Sequence, residues 1–342
     1  MKITVLLGGD SDERDVSLAT GVQMSAALRA AGHDVVAFDT ARCRVLGRAE
    51  EDALLREGVP PTPAGARESD RIALGEVNRL FDHPDAGGAD LFAIALHGGR
   101  GEDGTLQGVL EDEGLVYTGS DPEGCRLAMD KDASKTLMRA AGLPTPHWLT
   151  DVFDPEHLMT EVGLPIVIKA AHGGSSLRLE LVRDREALEV ALAEARAFDD
   201  RVVAEAYVSG REFTVGIVGD ETLPVGEIIP EHELFDYECK YQPGMAREIF
   251  PAEVDEAAAA RMSTLALEVH RVLGLRDYSR VDFMMDREGE IWCLEANNLP
   301  GMTGNSLLPR AARAAGIDFP ALCDRIVRSA AARRNSLRAH GV

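Results

Sequence analysis

The stretch that most constrains this chain runs Arg280-Val281-Asp282-Phe283-Met284-Met285-Asp286, turns at Arg287-Glu288-Gly289, and continues Ile291-Trp292-Cys293-Leu294-Glu295-Ala296-Asn297-Asn298-Leu299-Pro300-Gly301-Met302-Thr303. Side chains alternate across a β-strand. Read as a hairpin, the segment puts Arg280 and Asp282 on one face of its first strand, and Glu295 and Asn297 on one face of its second. Three oxygen donors and a guanidinium can then converge on one sheet face. Hard oxygen donors from one or two carboxylates, together with substrate phosphates, are how proteins usually hold Mg²⁺. The same alternation also describes a solvated strand face of mixed charge, so the rest of the chain has to separate the two.

The 342 residues, 45% of them hydrophobic, can bury a sizeable core, and the length suggests two or three domains. No apolar run approaches the length of a membrane-spanning helix, and Lys2–Leu7 reads as a first strand rather than a signal peptide. Cys43, Cys125, Cys239, Cys293 and Cys323 are scattered and odd in number, without a Cys-x-x-Cys pair. Free thiols in a reducing cytoplasm account for them most simply. A net charge of −22 argues against a nucleic-acid surface, which needs a basic stripe. It leaves room for anionic small ligands held by local lysines.

In chain order, the pattern predicts a strand at 2–7, a loop from Gly8 to Asp15 carrying Glu13, a helix over 16–31 and a strand at 34–38. This opening β-α-β unit suggests a parallel α/β sheet. Residues 40–88 give only a loop at 58–65 and a helix at about 70–81. A strand at 90–96 runs into the Gly-rich turn His97-Gly98-Gly99-Arg100-Gly101-Glu102-Asp103-Gly104-Thr105, before a short helix. Two helices meet at Lys131, and a strand ends at Lys169. The small residues Gly173-Gly174-Ser175-Ser176 make a flap whose amides can wrap a phosphate, or simply a hairpin loop. A strand carries Glu205, a hairpin over 211–229 carries Glu212, and a long polar loop with Phe235-Asp236-Tyr237-Glu238-Cys239-Lys240-Tyr241 is a candidate lid. Helices at 255–273, 307–315 and 319–333 complete the chain, with a frayed tail beyond Arg334.

Two lysines, a small-residue flap, two acids near a strand crossover and the acidic hairpin together describe a nucleoside-triphosphate site. The Gly-x-x-x-x-Gly-Lys-Ser/Thr phosphate loop does not occur.

On these motifs the sequence resembles the D-alanine–D-alanine ligase family of the ATP-grasp superfamily. The matching segments are Leu7-Gly8-Gly9 with Glu13-Arg14-Asp15-Val16-Ser17, Leu96-His97-Gly98 with Gly101–Gly108, Tyr117-Thr118-Gly119-Ser120, Met129-Asp130-Lys131, Gly174-Ser175-Ser176, Glu212-Phe213-Thr214-Val215, Asp236–Tyr241, and Glu295-Ala296-Asn297 with Pro300-Gly301-Met302-Thr303 and Ser306-Leu307. The resemblance covers nearly the whole chain. It implies a mixed α/β (α+β ATP-grasp) fold: an N-terminal α/β substrate domain (1–122), a central subdomain with the flap (123–206), and a C-terminal subdomain with the lid and metal site (207–342).

The resemblance also implies ATP-dependent joining of two D-alanines through an acyl phosphate for peptidoglycan precursors, by a cytoplasmic homodimer, with no membrane or nucleic-acid partner. Lys131, Lys169 and Lys240 would meet phosphates, and Glu205 and Glu212 would lie near adenine and ribose. Asp282, Glu295 and Asn297 would hold two Mg²⁺, with Mn²⁺ as an alternative. Arg280 and the Gly301 N–H would face the oxyanion of the tetrahedral intermediate. Glu13 would bind the first ammonium and, with Ser175 and Tyr241, join the first domain, flap and lid. His97 would lie near the first substrate, unless it only satisfies loop carbonyls. Ser306 and Leu307 would receive the second carboxylate. A Tyr at 241 goes with an amine rather than a hydroxy acid as second substrate.

The chain departs from the family pattern in three places. Arg178 stands where the flap usually has Gly, Asn298 follows Asn297 where Thr is usual, and residues 42–88 match no motif. Two other readings therefore stay open: a paralogue joining other amino acids, in a specialised or resistance pathway, and a nucleotide-binding protein without turnover.

Overall fold

The computed structural model describes residues 1–59, 80, 82–172, 179–198, 201–242 and 244–339. The expected helix at 70–81, apart from Leu80, and the flap Gly174–Ser176, with Arg178, lie outside the described residues, as does most of the loop at 58–65.

The first sheet contains β1 (Lys2–Leu7), β2 (Asp34–Asp39), β3 (Arg44–Val45) and β4 (Leu91–Ile94) in the order β3-β2-β1-β4. β1 pairs in parallel with both β2 and β4, as the opening β-α-β pattern predicts. Ile3 to Leu7 are all buried. Such a run suits a parallel strand, whose crossover helices cover both faces. The helix Arg14–Ala30 makes the crossover from β1 to β2.

The stretch from Trp148 to Ala206 contains a second, antiparallel sheet: β5 (Trp148–Thr150), β6 (Ile166–Ala170), β7 (Glu180–Val182) and β8 (Val202–Ala206), ordered β5-β8-β6-β7. Its Ile166 and Ile168 pack on Leu188, Ala191 and Leu192 of the helix Arg185–Phe198. By strand alternation Val167 and Lys169 point the other way, into a cavity.

The third sheet is also antiparallel. It comprises β9 (Gly210–Val218), β10 (Glu221–Thr222), β11 (Gly226–Pro230), β12 (Ala246–Ile249), β13 (Tyr278–Asp286) and β14 (Ile291–Asn297). The order is β12-β11-β9-β13-β14, with β10 paired to β9. Phe213, Val215, Val281 and Phe283 pack on Met262, Ala266 and Val269 of the helix Glu256–Val272. Glu212, Asp282 and Met284 therefore face the opposite side, toward the same cavity as Lys169. Each antiparallel sheet thus has one oily face under a helix and one polar face turned to the other sheet.

Three local expectations need correction. The lid is not loop throughout, because Tyr237–Tyr241 forms a short helix whose N-cap Asp236 accepts from the Cys239 N–H at 2.9 Å. The hairpin over 211–229 is interrupted, with β10 and β11 as separate partners of β9. The final helix runs Phe319–Ala339, past the expected fraying point. Its Leu322, Cys323, Ile326, Val327 and Ala330 share a core with Ile3, Val5 and Ile94 of the first sheet. The last segment of the chain is therefore packed on the first. No helix of the described residues is long and apolar enough to cross a membrane.

Candidate active site

The hairpin register explains the polar face. Asp282 stands directly opposite Glu295, and Arg280 opposite Asn297, with a bulge after Asp282. Cross-strand neighbours of this kind have Cβ atoms about 4.5–5.5 Å apart. Arg280 donates from Nε to Asp282 Oδ1 at 2.9 Å and from Nη2 to Oδ2 at 2.7 Å. Thr214 on β9 donates to Oδ1 at 2.7 Å, and Asn297 Nδ2 donates to Oδ2 at 2.9 Å. Burial alone would raise the Asp282 pKa, but the Arg280 charge and these hydrogen bonds hold it below the usual carboxylate range.

Two cavities meet at this face. The larger, about 450 Å³, lies between the second and third sheets and is lined by Lys131, Lys169, Glu212, Lys240, Asp282 and Glu295, among others. The smaller, about 280 Å³, lies between the third sheet and the loops after β1 and β4. It is lined by Glu13, His97, Arg280, Asn297, Gly301, Ser306 and Leu307, among others. Lys240 and Phe235 of the lid line both. Burial lowers the Lys131 pKa, against the nearby Glu295 carboxylate. Glu212 is pushed up to about 8, first by burial and then by Asp282. Three acids, Glu212, Asp282 and Glu295, thus crowd one wall of the larger cavity. A divalent cation relieves such crowding, and carboxylate and amide oxygens are the donors Mg²⁺ takes. The donor set of Asp282, Glu295 and Asn297 therefore fits the metal.

The smaller cavity is held by loop-to-loop hydrogen bonds. Ser11 Oγ donates to the His97 carbonyl at 2.5 Å, and the Glu13 N–H donates to Ser11 Oγ at 3.2 Å. Gly98 has φ +66, a left-handed backbone that favours glycine, and a Cβ there would come 2.9 Å from Glu13 Oε1 and push that carboxylate aside. His97 Nε2 lies 3.0 Å from Thr20 Oγ1. Burial pushes its pKa down to about 4, which keeps the ring neutral at working pH. Across the cavity, Ser306 stands at the N-cap position of the helix Leu307–Ala314, with its Oγ turned to the Thr303 N–H rather than to the helix amides. The unpaired amides of a helix N-terminus suit a carboxylate.

Of the residues singled out from sequence, Glu205 lines neither cavity; its carboxylate receives Lys169 Nζ at 2.9 Å and pairs with Lys135 Nζ. Ser175 and the Tyr241 side chain lie outside the described residues. Sequence reasoning passed over Lys135, Glu102 and Thr214. Lys135 sits one helical turn after Lys131, Glu102 lies within the Gly101–Gly108 segment, and Thr214 lies within Glu212–Val215. Their polarity inside otherwise buried elements was the available signal. Asn298 is fully buried and points away from both cavities, donating from Nδ2 to the Glu102 carbonyl at 3.0 Å. That departure from the family pattern braces a loop.

Two antiparallel sheets closing on one cavity, with Lys169 from one, acids from the other and Lys131 and Lys240 from adjoining helices, define an ATP-grasp protein. Models of the D-ala D-ala ligase N-terminus and C-terminus match residues 2–120 and 137–328. The D-alanine--D-alanine ligase of Alkalilimnicola ehrlichii is 42% identical over 95% of this chain and 93% of its own length. That of Dechloromonas aromatica is 41% identical over 96% and 98%. The crystal structure of the D-alanine--D-alanine ligase from Bacillus anthracis complexed with ATP superposes with a TM-score of 0.78 at 29% identity, over 98% of this chain and 99% of that one. The chain belongs to the D-Ala–D-Ala ligase family.

Proposed function

We propose that this chain joins two D-alanines to D-alanyl-D-alanine at the expense of ATP, supplying peptidoglycan precursors. The observation that carries the reading is the pair of adjoining cavities with Lys240 at their junction. A phosphate in the larger one and a small amino acid in the smaller one then meet at the lysine. In the first step, a carboxylate oxygen of one D-alanine attacks the γ-phosphorus. The bond to the bridging oxygen breaks and ADP leaves. In the second, the amine of another D-alanine, having lost its extra proton, attacks the acyl carbon, and the C–O bond to phosphate breaks.

Such transfers depend on positioning and charge neutralisation more than on covalent help. Lys131, Lys169 and Lys240 neutralise phosphate oxygens, and Glu212 serves the ribose side. Glu13 takes the first ammonium, with His97 beside it. Arg280 and the Gly301 N–H receive the developing oxyanion, and Ser306 and the Leu307 N–H take the second carboxylate. Ser175 and Tyr241 close flap and lid over the substrates. Mg²⁺ (two ions, or Mn²⁺ in their place) supplies charge neutralisation at the phosphates when bound, and Asp282, Glu295 and Asn297 are the residues that would hold it. The division into 1–122, 123–206 and 207–342 assigns these tasks to three units. A cytoplasmic homodimer completes the reading, on family grounds.

The test is phosphate release from ATP with single D- and L-amino acids, with the dipeptide identified by mass. Release with D-alanine and formation of its dipeptide is expected. Release only with other amino acids would replace the substrate, and ATP binding without release would replace the enzyme by a binding protein.

A further inference from the structure

The helix Lys131–Ala140 carries two lysines one turn apart, and only the first reaches a cavity. Lys135 is fully buried. Its Nζ donates to Thr145 Oγ1 at 2.6 Å, pairs with Glu205 Oε2 and stands 5.5 Å from the centre of the Trp148 ring. The other oxygen of Glu205 takes Lys169 Nζ at 2.9 Å. A chain of charges, Lys135–Glu205–Lys169, thus runs from the helix through β8 to β6, and its last member lines the larger cavity.

Two facts make this arrangement more than packing. A buried ammonium is strongly unfavourable unless paired, and burial does lower the Lys135 pKa. An apolar side chain on this helix would be the simpler filler. Second, the carboxylate between the lysines is shared. A Glu205–Lys169 pair alone would be neutral and would turn the ammonium's charge inward. With Lys135 present the three groups keep a net positive charge. Lys169 spends one of its three N–H donors on one carboxylate oxygen and has the others for a ligand.

We propose that Lys135 is a positioning residue for nucleotide binding, acting through Glu205 to keep the Lys169 ammonium available at the cavity wall. This rests on the larger cavity being the ATP site. Lys135 itself touches no substrate. Its effect is therefore specific to ATP, and it disappears when Glu205 no longer carries a charge to be shared.

The experiment measures MgATP binding by calorimetry, and KM for ATP and for D-alanine, in the wild type, Lys135→Met, Glu205→Gln and the double variant. Lys135→Met is expected to weaken ATP binding and raise its KM about tenfold, leaving KM for D-alanine within about twofold, because one competing cation partner of Glu205 is gone. Adding Glu205→Gln is expected to restore ATP affinity to within about threefold of wild type, since a neutral amide no longer claims Lys169. If Lys135→Met fails to fold, the double variant carries the test: near-wild-type ATP binding supports the relay, and tenfold weakening overturns it. Equal rises in both KM values, an unchanged KM for ATP, or a double variant no better than Lys135→Met also overturn it. Failure of the wild type to bind MgATP would remove the ATP site itself, and this inference with it.

Discussion

Arg280 grips Asp282, two residues along the same strand, with two parallel N–H bonds of 2.9 and 2.7 Å. With Thr214 and Asn297 also donating to it, Asp282 has one donor for each of its roughly four lone-pair sites. The aspartate expected to bind metal is thus also the group that aims the guanidinium expected to meet the oxyanion. One carboxylate couples the two halves of the site, and a bound cation must take over part of a network that is already complete. Glu295, its cross-strand partner, is the less encumbered acid.

Arg280→Lys should therefore cost more than a charge-conserving change suggests. An ammonium cannot make the two-pronged bond, so both Asp282 and the oxyanion position lose their geometry. We expect kcat to fall by about 10²–10³-fold, the range for loss of an oxyanion donor, with KM for ATP little changed. Steady-state phosphate release with ATP and D-alanine varied separately checks this, and a kcat within a few-fold of wild type would remove Arg280 from the reacting centre.

Glu295→Gln removes an anionic donor but keeps shape and hydrogen-bonding capacity. The Mg²⁺ concentration for half-maximal rate should rise at least about tenfold, equivalent to about 1.4 kcal/mol, and kcat should fall by orders of magnitude. Circular dichroism should stay that of the wild type. A Mg²⁺ titration that superimposes on the wild-type curve would place the metal elsewhere.

Glu102 gives a pH prediction. It is buried, its Oε2 accepts from the Gly98 N–H at 2.8 Å, and burial together with the Glu13 carboxylate pushes its pKa up to about 8. An unfolded Glu titrates near about 4.3. Between these values the folded protein holds a proton that the unfolded chain has released, so this group's contribution to stability falls as pH rises. It levels off above the folded value. The slope is at most about 1.4 kcal/mol per pH unit. Glu102→Gln keeps an acceptor for Gly98 and removes the titration. Urea unfolding should show the variant gaining on the wild type between pH 5 and pH 8; an equal difference at both would refute the neutral carboxyl.

Much of this was legible in the chain, and the physical reason differs by element. The alternation of Arg280, Asp282, Glu295 and Asn297 is local, so period two alone gave their common face. Their register depended on the turn at Arg287–Gly289, also local. The lid helix Tyr237–Tyr241 escaped because five residues carry too little periodicity, although Asp236 is a ready cap. Arg48–Glu57 escaped because its composition is mostly charged, leaving no apolar stripe to read. The resemblance sets Glu205 near adenine, but its pairing with Lys135 and Lys169 joins a helix and a strand far apart in the chain. Nothing local reveals a buried ion triad. The same holds for the last helix, whose partner surface is the first sheet.

That last contact supports one more prediction. Asp277, at φ +60 and buried, joins three parts of the molecule. Oδ2 accepts from the Gly119 N–H at 2.8 Å, Oδ1 accepts from Ser329 Oγ at 2.8 Å, and Arg333 pairs with the same oxygen. Gly119 follows the first sheet, Asp277 precedes β13, and Ser329 and Arg333 belong to the final helix. Asp277→Ala removes the acceptor shared by Gly119, Ser329 and Arg333, and puts alanine in the left-handed region. Loss of about 2–4 kcal/mol is expected, from the missing buried acceptor and the left-handed backbone. Asp277→Asn tolerates the backbone and keeps an acceptor, so it should lose clearly less. Urea unfolding of both variants tests the ranking. Equal losses would mean that side-chain charge and backbone conformation contribute nothing separable here, and that the junction is held by apolar packing of the final helix alone.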